Sequence, residues 1–205
     1  MKLFIGVHHN PPDGPGPIGI VLGTQALFHD YVMGPKYPAT HAFVVVELEG
    51  MLWVIDGKPP RAQWTPCKRV DMDSGKEGIF PGVQHMGFPT KAERPSHQAL
   101  WEIPHKALEG IYMARALDGA AYDWGEIAAA AATAFSILPG LHQFRMLGRM
   151  DLLHDSLICT HLCVRVLEAM GLQEVMKASM PDLFPERLAQ VLRSSEGTWC
   201  RRVVP

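Results

Sequence analysis

The chain has 205 residues, 47% of them hydrophobic and 20% charged, and its 19 Lys plus Arg against 21 Asp plus Glu give a formal net charge of -2. That is ample apolar material for one core, which excludes an intrinsically disordered chain and a disulfide- or metal-stapled miniprotein. The near balance of charge lacks the basic excess of a nucleic-acid reader, so no nucleic-acid partner is expected.

In chain order, the N-terminal MKLFIGVHHNPPDG carries one lysine and five apolar residues before its histidines and prolines. A secretory signal needs a longer apolar stretch and a small-residue cleavage site. Residues 8–17 (HHNPPDGPGP) read as a loop unable to form a helix or central strand, with His8 and His9 solvated. Ile18 to Leu22 suggests a short buried strand, and residues 24–32 a short helix before the Gly34-Pro35 turn. The β-branched run from His41 to Leu48 and the run from Met51 to Asp56 flank Glu49-Gly50, which predicts a hairpin. Residues 57–98 are rich in Pro, Gly and Lys, with a further strand expected around 78–84.

From about residue 104 the pattern turns helical. Pro104 to Leu117 is one helix, broken at Asp118-Gly119, and Asp123 caps another through the alanine tract to Ile137, stopped by Pro139-Gly140. Asp155 or Ser156 caps a third, which runs to Met170 and ends at Gly171. A last helix lies near Pro185 to Arg193. Strands first and helices second suggest one α+β domain over 1–205, strand-rich in 1–98 and helix-rich in 99–205. The longest mostly apolar run, Ile127 to Leu138, is too short and alanine-rich for a bilayer span of about 20 residues, so no integral membrane segment is expected. The cysteines at 67, 159, 163 and 200 form no CxxC and no disulfide framework, which favours a reducing cytoplasm, with export only by a signal-independent route.

Cys159 falls in the first turn of the helix that ends at Gly171. A helix N-terminus carries about half a positive charge, which favours thiolate over thiol and suits a nucleophile. Spacing alone favours a buried small hydrophobe there, the reading also preferred for Cys163 one turn on. Among 10 histidines, His41 opens the apolar strand. A two-residue turn sets Leu48 opposite Met51 and Phe43 opposite Asp56. His41, Phe43, Val45 and Glu47 then share a face with Asp56, whose Cβ lies about 7 Å diagonally from that of His41. A carboxylate at that point can hold the imidazole in the right tautomer. Glu47, six residues along the strand and roughly 20 Å away, is too distant for that task.

An apolar strand opened by His, a following strand closed by an acidic residue and a later helix-opening Cys resemble the circularly permuted NlpC/P60 (YiiX-like) group of papain-fold cysteine hydrolases. Gly19-Ile20-Val21-Leu22 is similar to its opening strand, Thr40-His41-Ala42-Phe43-Val44 to its Ser-His-Val-Gly-Ile segment, and Val54-Ile55-Asp56 to its Val-Ile-Glu. Gly119-Ala-Ala-Tyr122-Asp123 resembles its approach to the Cys half, and Ile158-Cys159-Thr160-His161-Leu162-Cys163 stands where it has Tyr-Cys-Ser-Glu-Leu-Val. Ile20, Ile158 and His161 depart from that pattern.

The resemblance implies a papain-like antiparallel sheet packed against a helical half, with Cys159 as nucleophile, His41 as base and Asp56 as orienting residue. It implies a cysteine peptidase or amidase working through a thioester, with a peptide, peptidoglycan-like or lipid acyl substrate and no cofactor. A lipid acyl hydrolase or acyltransferase on the same fold, and a catalytically silent binding domain, are the competing functions; oligomeric state is not legible. A zinc site built from His154, Cys159, His161 and Cys163 is disfavoured, because at about 100° per residue His161 points almost opposite Cys159. Tyr122, Met146, Met150 and Met170 are expected in packing roles, Tyr122 with Asp123 and Trp124 around a helix cap, and the basic, apolar segment Arg145 to Met150 on a solvated helix face.

Overall fold

The computed structural model describes residues 1–9, 36–57, 60–70, 78–81, 97–122, 156–157, 159–172 and 185–204, with isolated positions at 23, 26 and 29. The elements run β1 (Lys2–His9), β2 (Ala39–Leu48), β3 (Met51–Asp56), β4 (Gln63–Val70), β5 (Gly78–Pro81), β6 (His97–Glu102), α1 (Ala107–Ala116), β7 (Ala121–Tyr122), β8 (Ser156–Leu157), α2 (Cys159–Ala169), α3 (Pro185–Ser194) and β9 (Arg201–Val204). Among the described residues, a seven-stranded sheet has the order β5-β4-β3-β2-β1-β6-β9, and every pairing within it is antiparallel. The fold is therefore mixed α+β with an antiparallel sheet.

A tight hairpin joins β2 and β3. Glu49 and Gly50 have φ of 50° and 81°, the doubly left-handed turn whose twist matches that of the flanking strands. Leu48 pairs with Met51 and Val44 with Ile55, as counted from the sequence. One sheet face carries Leu3, Ile5, Val7, Ala42, Val44, Val46, Ile55 and Trp101 into a core shared with Ile111 of α1, Leu162, Val166 and Leu167 of α2, and Leu188 and Leu192 of α3. The other face carries Phe4, Phe43, Val45, Val54 and Leu100, all buried. Burying each such side chain contributes about 1.5–3 kcal/mol, so both faces hold the sheet in place.

Several sequence expectations are corrected. Lys2–His9 form β1, an interior strand paired with both β2 and β6. His8 and His9 are its last members, only 1% and 2% exposed, and not a solvated loop. Proline restricts the chain only from its own position and the residue before it, which leaves Phe4 to His9 free to pair. The stretch 57–98 yields β4 and the start of β6 besides β5, and β4 is interior although it contains Pro66. The second half of the chain supplies β6 and β9 to the same sheet, so strands are not confined to the first half. The first helix begins at Ala107, not Pro104. Ser156 pairs in β8, so it does not cap α2, which starts at Cys159 itself.

The far end of α2 is as expected: Gly171 N–H donates to Glu168 O at 2.9 Å and Leu172 N–H to Leu167 O at 3.1 Å, a Schellman stop. The final helix is Pro185–Ser194. The strand at Ile18 to Leu22, the helix from Asp123 to Ile137 with Trp124, Asp155, His154, and the segment from Arg145 to Met150 lie outside the described residues, as does most of the 24–32 helix. Among the described residues, no helix is long and apolar enough to cross a membrane.

Candidate functional site

The hairpin brings His41 and Asp56 onto one face. His41 Nε2 lies 2.5 Å from Asp56 Oδ1, and Asp56 is 2% exposed. The diagonal relation counted from the turn is thus closed by a hydrogen bond, which the short reach of Asp and His permits once the Cβ atoms are neighbours. Glu47, farther along the strand, instead takes Lys2 Nζ at 3.1 Å.

Cys159 arrives from the other end of the chain by a backbone strap. The connection leaving Asp56 is bonded to the segment after α1: Ala62 N–H donates to Ala120 O at 2.8 Å, Gly119 N–H to Ala62 O at 3.0 Å, and Tyr122 N–H to Pro60 O at 3.0 Å. Ala121 and Tyr122 pair in parallel with Ser156 and Leu157, and the chain then enters α2 at Cys159. Tyr122, expected in a packing role, is buried in this strap.

The imidazole lies close enough to the thiol for each to shift the other's pKa. With Nε2 engaged by Asp56, Nδ1 is the nitrogen left to face sulfur. The backbone N–H of Ala42 is near enough to the Cys159 sulfur to favour its thiolate. This is possible because the β2–β3 ladder stops at the Val44–Ile55 pair, which frees the edge of β2 beside residue 42. Thr160 Oγ1 lies 3.9 Å from Cys159 Sγ. Cys159 and His41 each keep 8% exposure, so both are buried with only an edge presented to solvent.

Burial opposes charge on the His41 ring. The Asp56 carboxylate and the Cys159 thiolate outweigh it and hold the imidazole well above its usual pKa. Burial likewise opposes the Cys159 thiolate, but the His41 cation and the Ala42 N–H prevail, and the thiol sits below its ordinary value. Both shifts act in the direction of a thiolate–imidazolium pair. Cys163 contrasts with it, because burial pushes its thiol well up. Burial pushes Cys200 up to about 12, and its thiol donates to Leu192 O at 3.3 Å. Cys159, Cys163 and Cys200 are free thiols.

The remaining sequence candidates separate from this group. His161 Nε2 accepts from Arg165 Nε at 3.2 Å, one turn along α2. Met170 is fully buried in the core. Among the described residues, no group of three or more His, Cys, Asp or Glu is arranged to hold a metal ion. Sequence reasoning missed the Ala42 N–H, which leaves no side-chain signal. It also missed His8, whose alternation in MKLFIGVH could have placed it on the His41 face.

A second buried polar cluster borders the start of β2. Glu186 of α3 accepts from the backbone N–H of Ala39 at 2.6 Å and from Arg193 Nη2 at 2.9 Å, and His29 Nδ1 lies 3.0 Å from its Oε1. His9 Nδ1–H donates to Tyr37 O at 2.9 Å. Compared with protein-family models and with curated proteins, the chain matches none.

Proposed function

We propose that the chain is a thiol hydrolase that cleaves an amide or ester acyl bond through Cys159, His41 and Asp56, on a papain-like fold in the permuted order of the NlpC/P60 group. The observation that supports it most is the His41 ring held between the Asp56 carboxylate at 2.5 Å and the Cys159 thiol, with the thiol depressed by that contact. Structural cysteines buried in apolar surroundings have raised pKa values, as Cys163 has here.

In this mechanism the Cys159 thiolate attacks the acyl carbonyl carbon, and the carbonyl oxygen takes up the displaced electron pair. The backbone N–H of Cys159 opens α2 and so lacks an intrahelical acceptor; it is available to that oxyanion. His41 then gives its Nδ1 proton to the leaving amine or alcohol as the C–N or C–O bond breaks, which leaves a thioester on Cys159. Water attacks the thioester with His41 accepting its proton, and the departing thiolate restores the ion pair. Asp56 stays ionised throughout and fixes which ring nitrogen faces sulfur. Peptide amides and lipid acyl esters both pass through this intermediate, so the reading commits to the acyl group and the thioester.

The test is a burst experiment with 4-nitrophenyl acetate. Nitrophenolate released in an amount equal to enzyme, together with one acetyl group on the peptide containing Cys159, supports the reading. No burst in the wild type, or the same burst in Cys159→Ala, overturns it.

A further inference from the structure

We infer that His8 is a positioning residue for His41: with Phe43 it forms a ring wall that fixes the plane of the imidazole. The inference rests on the thiol-hydrolase reading of Cys159 and His41. His8 and His41 are direct cross-strand partners of β1 and β2, and neighbours of that kind are the pairs through which side chains on a sheet interact. Their ring centroids are 6.1 Å apart with planes 26° from parallel. Phe43 lies 4.8 Å from His8 and 6.4 Å from His41, 18° from parallel. The three rings form one group on the Asp56 face of the sheet, His8 and Phe43 each stacked on His41 and tilted 37° to one another, and His8 is 1% exposed.

Two backbone features serve this group. Phe43 lies across the backbone of Gly6, so closely that a Cβ at residue 6 would collide with its ring; only glycine lets the ring lie flat there. The β1–β2 register shifts between His8 and His9, with His8 opposite His41 and His9 opposite Ala39. Thr40 is the extra residue of this bulge, and its Oγ1 donates to His8 O at 3.4 Å. Bulges beside functional sites re-aim a side chain. Here the bulge separates His8, on the His41 face, from His9, whose ring turns to Tyr37 and His29.

The Asp56 carboxylate and the neighbouring Cys159 thiol hold His41 along the line of its two nitrogens but leave the ring able to rock about that line. The wall removes that rocking, and small misplacements of a catalytic group cost heavily in rate.

The test compares acetylation of Cys159 by 4-nitrophenyl acetate in the wild type, His8→Leu and His8→Phe, with thermal unfolding followed in parallel. Leucine fills much of the volume without a flat face, and phenylalanine restores the face without the polar atoms. The expected loss in His8→Leu is about tenfold, the scale of a stacked ring pair, and His8→Phe restores the rate to within about threefold of wild type by the same scale. Equal rates in the Leu and Phe variants, high or low, overturn the inference while leaving the thiol-hydrolase reading intact. A wild type that fails to acetylate overturns both. Phe43→Leu removes the other ring and decides the matter should His8→Leu not fold: about a tenfold loss is expected, and a wild-type rate overturns the inference.

Discussion

Glu186→Ala removes the carboxylate that ties α3 to the strand bearing His41. Glu186 is 1% exposed and receives the Ala39 N–H at 2.6 Å and Arg193 at 2.9 Å. Its loss strands a buried backbone donor, which costs about 1–3 kcal/mol. It also leaves Arg193 without its counter-charge, and breaking a buried pair costs about 3–5 kcal/mol. The Arg193 side chain keeps 17% exposure and can turn partly to water, so the combined cost falls at about 3–5 kcal/mol. For a chain of this length that lowers the melting temperature by roughly 10 °C. Glu186→Gln keeps an oxygen for the Ala39 N–H and should lose about half as much. Urea unfolding followed by tryptophan fluorescence measures both, with the m-value checked for constancy. A Glu186→Ala protein within about 1 kcal/mol of wild type refutes the assignment of this carboxylate as the anchor of β2.

Other outcomes follow from the same geometry. Asp56→Asn preserves an acceptor for His41 Nε2 but removes the charge that holds the imidazole protonated, so alkylation of Cys159 at pH 6 should fall about tenfold or more; an unchanged rate contradicts the role of Asp56. Burial lowers His9 to about 4 from 6.5, with Arg193 and His29 adding to that and Glu186 and the Tyr37 carbonyl opposing it. The unfolded chain therefore binds a proton that the native chain refuses, and stability present above about pH 6.5 is lost as pH falls toward 4, by on the order of 2–3 kcal/mol. Urea midpoints at pH 7 and pH 4.5 read the loss, and His9→Asn, which can still donate to Tyr37, should flatten it. Gly6→Ala forces Phe43 off the backbone of β1, which should destabilise by about 1–3 kcal/mol in the same unfolding assay.

What was legible in the sequence was local. Glu49-Gly50 fixed the turn, the turn fixed the register, and the period of two along β2 and β3 carried His41 and Asp56 onto one face. The stop of α2 was equally readable, since Gly171 supplies the cap. Features that depend on distant partners were hidden. β1 ends in two histidines followed by prolines, and its interior place comes from pairing with β2 and with β6, far along the chain. The Pro, Gly and Lys content of 57–98 hid β4, a strand held by β3 on one side and β5 on the other. Ser156 resembled a cap because a hydroxyl preceding an apolar run suits that position; its backbone is taken instead by Ala121 across β7 and β8. The contact of Cys159 with His41 joins residues 118 positions apart (159 minus 41), and the strap through 60–62 and 119–122 that creates it leaves only weak local signals.

If His41 makes a thiolate of Cys159, site-resolved alkylation reads it directly. The native protein is treated with iodoacetamide across pH 5 to 9, and each cysteine is followed by mass spectrometry in the wild type and in His41→Ala. An ordinary thiol of pKa about 8.5 is only about 0.3% ionised at pH 6. The expected result is that Cys159 reacts readily at pH 6 while Cys163 and Cys200 stay inert, and that His41→Ala abolishes the low-pH reaction. Cys159 that reacts only after unfolding, or identically in both proteins, rules out activation of the thiol by His41.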